Sequence, residues 1–248
     1  MTLGFILVII LISLLIGLSK GGLGGPAPVA MITPLMSLVM PAGQAVGLVL
    51  PLLLFGDVFA VWLYWQKWDN RYLRLMLPMG VVGVALGSLA LAILSHQDTL
   101  MRRVLGLFTL AFVVYKVASV RLQRLSYHPQ DWHGYLAGWA SGFGSALANL
   151  GAPPFTAYML LQDLTPTIFI GTTTLYFAIL NALKLPGVLL TGNLNIHQFF
   201  SILWVIPVIP LGVWLGRQSL QHMNPKVFES LMLVLLFALS LFLLFVAP

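Results

Sequence analysis

Long apolar runs, separated by short connections that hold most of the charges, set the pattern of the chain. They cover about residues 2–19, 28–40, 43–65, 72–94, 100–120, 134–163, 165–190, 196–216 and 227–247, and the sixth is interrupted near residue 150. None alternates polar and apolar positions, so the short tilted strands of a membrane β-barrel are excluded. A hydrocarbon core of ~30 Å takes ~20 apolar residues per helical crossing, and lipid-exposed backbone must satisfy its own hydrogen bonds. The pattern therefore predicts an all-α polytopic membrane protein of about eight helical segments, some broken by glycine and proline. The spans 28–40 and 153–163 are short, and the pattern leaves open whether they cross or turn back.

The two halves resemble each other. Gly24-Gly25-Pro26-Ala27-Pro28 in the first has a counterpart in Gly151-Ala152-Pro153-Pro154 in the second, each after a glycine-rich apolar run. Gly47 and Gly171 lie 124 residues apart, half the chain, and at that offset Asp57 faces Asn181. The polar turn at Asp69-Asn70 likewise faces Asn193-Leu194-Asn195. The expected organisation is one transmembrane domain made of two repeats, 1–124 and 125–248. Internal repeats with interrupted helices are a recurring plan of secondary transporters. The turn at 66–74 carries Lys67, Arg71 and Arg74, whereas its counterpart at 191–199 carries no Lys or Arg. By the positive-inside rule these turns face opposite sides, which predicts inverted repeats. Arg102 and Arg103 then fall outside and argue against that arrangement.

Composition narrows the class. Of 248 residues, 60% are hydrophobic and 7% charged, against ~25% charged in ordinary soluble domains. That excludes a water-soluble enzyme, a nucleic-acid-binding domain and a disordered chain. The net charge of +6 sits mainly in short connections, as at helix ends that meet lipid headgroups, so nucleic acid is not the partner. With no cysteine there is no disulfide or thiolate metal site. The run from Leu3 to Ile16 follows no basic residue and precedes a glycine-proline break, so it reads as a retained helix and not a signal peptide.

Candidate chemistry concentrates at the breaks. The stretch Gly17 to Pro28 cannot continue a regular helix, and non-helical backbone at membrane depth is tolerated only when buried or lining a wet cavity. A helix restarting after such a break directs free N–H groups and the positive dipole end toward an anion. The first break offers Gly22, Gly24, Gly25 and Pro26, the second Asn149, Gly151 and Pro153. Close helix packing through small residues is the competing explanation. Lys184 stands in an uncharged stretch from Leu164 to Leu215, and an intramembrane lysine is a functional candidate by default. Asn181 shares its helical face, and Thr172 and Thr173 add hydroxyls earlier on the segment, unless they bond the preceding turn. Asp57, the one ionisable group between Gly21 and Gln66, is the candidate for proton or ion coupling or for pairing with Lys184. Lys20 either completes the anion site or anchors the interface. No histidine pair has metal-ligand spacing, and Ser141 lacks a mid-depth histidine partner, so neither a metal site nor an enzyme is expected.

With these residues assembled, the chain resembles the sulfite exporter TauE/SafE family of membrane transporters. The matching features are Gly21-Gly22-Leu23-Gly24-Gly25-Pro26 followed by Pro34-Leu35, Ala45-Val46-Gly47, Gly83-Val84-Ala85-Leu86-Gly87, and Asn181-Ala182-Leu183-Lys184 followed by Gly192-Asn193. The chain departs from many members in having Gly-Leu-Gly-Gly-Pro for an unbroken glycine triplet and Gly-Ala-Pro-Pro for a second glycine cluster. The resemblance implies transport of a small sulfur-containing oxyanion (sulfite, sulfoacetate or a related organosulfonate), usually export, by a multi-pass protein of the bacterial inner membrane. It implies no cofactor. A passive anion-selective pore and a membrane assembly factor without a solute are the alternatives. The exact anion, direction and coupling ion stay open, as does a homo-oligomeric state.

Overall fold

The computed structural model describes residues 2–21, 26–122, 129–219 and 225–246. Among the described residues every regular element is helical. The first half holds α1 (Leu3–Lys20), α2 (Ala27–Met36), α3 (Ala42–Leu63), α4 (Asn70–Leu94) and α5 (Asp98–Leu122). The second holds α6 (Asp131–Ala148), α7 (Ala152–Met159), α8 (Pro166–Leu190), α9 (Ile196–Ser201), a 3-10 turn at Leu203–Val205, α10 (Val208–Ser219) and α11 (Pro225–Phe245). α1, α3, α4, α8 and the Val227–Phe245 part of α11 are long and apolar enough to cross a membrane. Large apolar side chains such as Leu89, Val117, Leu190 and Phe245 point outward, a surface that a soluble monomer avoids.

Local signals account for most boundaries. The Asp69 carboxylate accepts from the Arg71 amide to start α4, and Thr165 caps α8 with Pro166 in its first turn. The run 196–216, expected as one helix, is instead divided into α9, the 3-10 turn and α10. Pro207 and Pro210 remove two amide donors close together, which ends the ladder there.

Contacts between turns define two ends of the bundle. At one end Lys67 lies against Gly171, Arg71 pairs with Asp131 and the Tyr72 hydroxyl bonds Gln162. At the other, Asn193 and Ser95 lie against Gly43, and the Ala42 amide donates to Asp98. The first is called the basic end below, because it carries Lys67, Arg71 and Arg74. α1 runs parallel to α10 toward the basic end, and α2 turns back from it. α6 runs parallel to α4 away from the basic end, and α7 returns to it. At ~1.5 Å per residue, the 10 residues of α2 and 8 of α7 are too short to cross. Two helical hairpins thus enter the bundle from opposite ends.

Glycines let the hairpins pack close. A Cβ on Gly142 would lie 2.0 Å from the Gly80 carbonyl oxygen, and one on Gly17 would lie 2.3 Å from that of Ile209. Only glycine fits where two backbones approach so nearly. Gly47 and Gly171 show the same relation crosswise: their Cβ atoms would lie 2.2 Å from the Asn193 oxygen and 1.7 Å from the Lys67 oxygen. Each packs on the turn contributed by the other half. Arg102, the residue that opposed the inverted arrangement, is largely buried. Its guanidinium bonds Asp98 at 2.8 Å and donates to the Ser37 and Met40 carbonyls. It is consumed in tying α5 to the end of α2, so its position follows from these bonds.

Candidate functional site

The end of α1, the start of α2 and the second break come together beside α3 and α8 around a cavity of about 210 Å³. Ser19, Lys20 and Pro26 reach it from the first break, and Ser145, Asn149, Gly151 and Ala152 from the second. α8 adds Thr173, Thr174 and Asn181. Tyr64, at the end of α3, and Phe169 with Ile170, in the first turns of α8, carry the lining to the basic end.

The second break is built by Asn149. It adopts φ 57°, ψ 24°, the left-handed conformation that closes a helix, and the amide of Leu150 donates back to the Gly144 carbonyl. Its side chain is fully engaged. Nδ2 donates to Thr33 Oγ1 and the Val46 carbonyl, both at 3.1 Å, and Oδ1 accepts from Lys184 Nζ at 2.7 Å. Lys184 also donates to the Ser145 carbonyl at 3.0 Å and to Ser145 Oγ at 3.1 Å. This buried network links α8, the tip of α6, α2 and α3 on the side of the cavity away from the basic end.

A second polar group crosses the halves one turn away. Asp57, 2% exposed, is paired through Oδ1 with the Lys20 ammonium and accepts at Oδ2 from Asn181 Nδ2 at 2.6 Å. Asp57 and Asn181 are the residues set against each other by the repeat offset of 124.

The expected site residues therefore separate. Pro26, Asn149, Gly151, Thr173 and Asn181 line the cavity. Gly22, Gly24 and Gly25 lie outside the described residues. Thr172 does not line the cavity: it donates to the Ile168 carbonyl and accepts from the Asp69 amide, fastening the 64–69 turn to α8. Pro153 sits just behind the lining, with its carbonyl bonded by Thr156. Lys184 faces Ser145 and Asn149 and not the cavity, and the ammonium paired with Asp57 is that of Lys20. Isolation in sequence marks Lys184 as unusual but does not reveal that three acceptors surround it.

Proline limits the backbone donors in the described part of both breaks. Pro153 and Pro154 occupy the first turn of α7, and Pro28 that of α2, so amide hydrogens are missing where a helix start normally offers them. Side chains must supply more of the polar surface. Thr174, next in the same threonine run, lines the cavity as well, whereas Ser19, Ser145 and the aromatic residues Tyr64, Phe169 and Phe177 join the lining without any sequence signal beyond their neighbours. Lys20 is the one charged side chain in the lining among the described residues.

A protein-family model described as Sulfite exporter TauE/SafE matches residues 9–243. No curated protein and no solved structure matches the chain.

Proposed function

Because the chain belongs to the sulfite exporter TauE/SafE family, a family of membrane transporters and not enzymes, we propose that its cavity is the binding site for a small sulfur-containing oxyanion. Sulfite, sulfoacetate and related organosulfonates are the candidates, and export across a bacterial inner membrane is the proposed direction. The observation that carries this reading is the cavity itself. It lies between the start of α2 and the second break, it holds Lys20, Asn181, Thr173 and Thr174, and among the described residues its lining extends to Tyr64, Phe169 and Ile170 at the basic end. Toward the other end, Asn149 is bonded to Thr33 and Val46.

A site open to one end and latched at the other suits alternating access better than a continuous pore. The two hairpins, inserted from opposite ends, support an inverted-repeat design in which exchanging the roles of the halves would open the opposite end. With the basic turns placed in the cytoplasm, the present conformation faces inward. No Walker-type loop occurs in the sequence, so a gradient is the proposed energy source.

The test is counterflow in proteoliposomes. Vesicles holding the full chain and loaded with sulfite or sulfoacetate should accumulate the labelled anion transiently, with saturable rates. Flux that rises linearly with concentration and shows no counterflow would establish a pore instead. Absence of flux, together with no thermal stabilisation by either anion, would end the transport reading, since a ligand of the folded state must stabilise it.

A further inference from the structure

The ion pair at the cavity poses a problem of charge. Lys20 is the cation an entering anion would meet, yet Asp57 already neutralises it. Asp57 is buried and both its oxygens are engaged, one by Lys20 and one by Asn181. Among the described residues, the other groups around it offer no substitute cation. Lys184 stands one turn beyond Asn181 on α8 with its ammonium committed to Ser145 and Asn149. Gly56, beside Asp57 on α3, packs on Ile16 and the Lys20 stem from α1 and on Ile209 from α10. One ammonium cannot neutralise both Asp57 and an anion, so an anion that claims the Lys20 charge leaves a buried carboxylate without compensation, which is costly unless a proton comes with the anion.

We infer that Lys20 is the anion-receiving charge and that Asp57 is its resident counter-ion, so that each bound anion brings one proton to Asp57. The exchange balances. The Lys20–Asp57 pair, the anion and a proton become a Lys20–anion pair and a neutral Asp57 carboxylic acid, its carbonyl oxygen still placed for the Asn181 amide. The proton comes from the aqueous phase that reaches the cavity at the basic end. This inference rests on the cavity being the anion site, and it specifies the coupling at that site: anion and proton move together. The sign is definite. Anion binding takes up a proton, so a fall in pH strengthens binding wherever Asp57 is ionised in the empty protein.

The test uses the purified full chain in weakly buffered detergent, titrated calorimetrically with ethanesulfonate, sulfoacetate and sulfite while a pH dye reads the medium. Ethanesulfonate is the decisive probe, because its sulfonate stays ionised and any proton removed from solution goes to the protein. Wild type should take up about one proton per anion, and its affinity should fall about tenfold per pH unit across the linked range. Asp57→Asn should bind ethanesulfonate at least as tightly, with no proton uptake and no pH slope. Lys20→Arg should keep both properties. The double variant Lys20→Gln/Asp57→Asn, which strands no charge, should keep a cooperative thermal transition while losing about tenfold or more in affinity. Ethanesulfonate binding to wild type without proton uptake, or a retained pH slope in Asp57→Asn, would overturn the coupling and leave the anion site standing. Failure of all three anions to bind wild type would overturn the site and the coupling with it.

Discussion

The Lys184 side chain, 2% exposed, is held by three acceptors that converge on its N–H groups: the Ser145 carbonyl, Ser145 Oγ and Asn149 Oδ1. They sit at the end of α6, where the Asn149 amide also donates to the Ser145 carbonyl. Lys184 therefore positions the second break, whereas Lys20, half a turn of chain before the first, faces the space between the hairpins. Replacing Lys184 with methionine leaves Asn149 Oδ1 without a donor and the Ser145 carbonyl with only the Asn149 amide, at about 1–3 kcal/mol for the unsatisfied amide oxygen. The expected outcome for Lys184→Met is a lower thermal midpoint and a lower maximal flux, with an unchanged half-saturating anion concentration. A shifted half-saturating concentration at normal stability would return this lysine to the binding surface. The sequence flagged Lys184 and Asp57 because charge is rare in apolar runs. It did not pair them correctly, since each partner comes from an element distant in the chain.

Among the elements, two crossings dominate: α1 with α10 and α4 with α6. Both rely on glycine faces at backbone contact, which makes them sensitive to a single methyl group. Gly142→Ala places a Cβ 2.0 Å from the Gly80 oxygen, and overpacking of this kind costs about 1–3 kcal/mol. Gly4→Ala is the control, because nothing lies within 4 Å of its Cβ and alanine favours a helix by about 0.5–1 kcal/mol. Thermal unfolding in detergent should show a clear loss for the first and none for the second. Equal behaviour would mean that α4 and α6 are not in the described contact. The broken helices α1–α2 and α6–α7 were legible from glycine and proline. The division of 196–216 was not anticipated, although Pro207 and Pro210 signal it. The run is apolar throughout, and hydropathy alone does not register the two missing amide donors.

For the molecule as a whole, the decisive property is that the hairpins enter from opposite ends. The Thr33–Asn149 and Val46–Asn149 bonds join α2 and α3 to the second break on the side away from the basic turns, and in the proposed cycle they are the latch. Removing one acceptor by Thr33→Val should populate a state open at that end. A cysteine at Val29, which lines the cavity, should be reached by an impermeant maleimide from the basic side in the otherwise native protein, and from both sides once Thr33→Val is added. Unchanged one-sided labelling would remove the latch. Overall orientation has its own measurement. Cysteines at the exposed positions Lys67 and His197 should be modified from opposite sides of the membrane, and modification from one side would end the inverted arrangement. Because the chain contains no cysteine, neither experiment requires removal of a native thiol.

Hydropathy, the scarcity of charge and the lack of alternation determined by themselves that the chain is a helical membrane protein, because lipid leaves the backbone only helices or closed barrels and these runs do not alternate as barrel strands do. Glycine and proline likewise placed the breaks, since those residues act through their own backbone geometry, and the succession of glycine motifs with Asn181 and Lys184 pointed to the family. The tertiary structure alone decided which charges meet. It paired Asp57 with Lys20, surrounded Lys184 with the end of α6, withdrew Thr172 and Arg102 into structural bonds, and opened the cavity toward the basic end. Those outcomes depend on which helices cross and at what depth. Crossing depth is set by packing between elements 35 to 103 residues apart in the chain, and no local pattern encodes it.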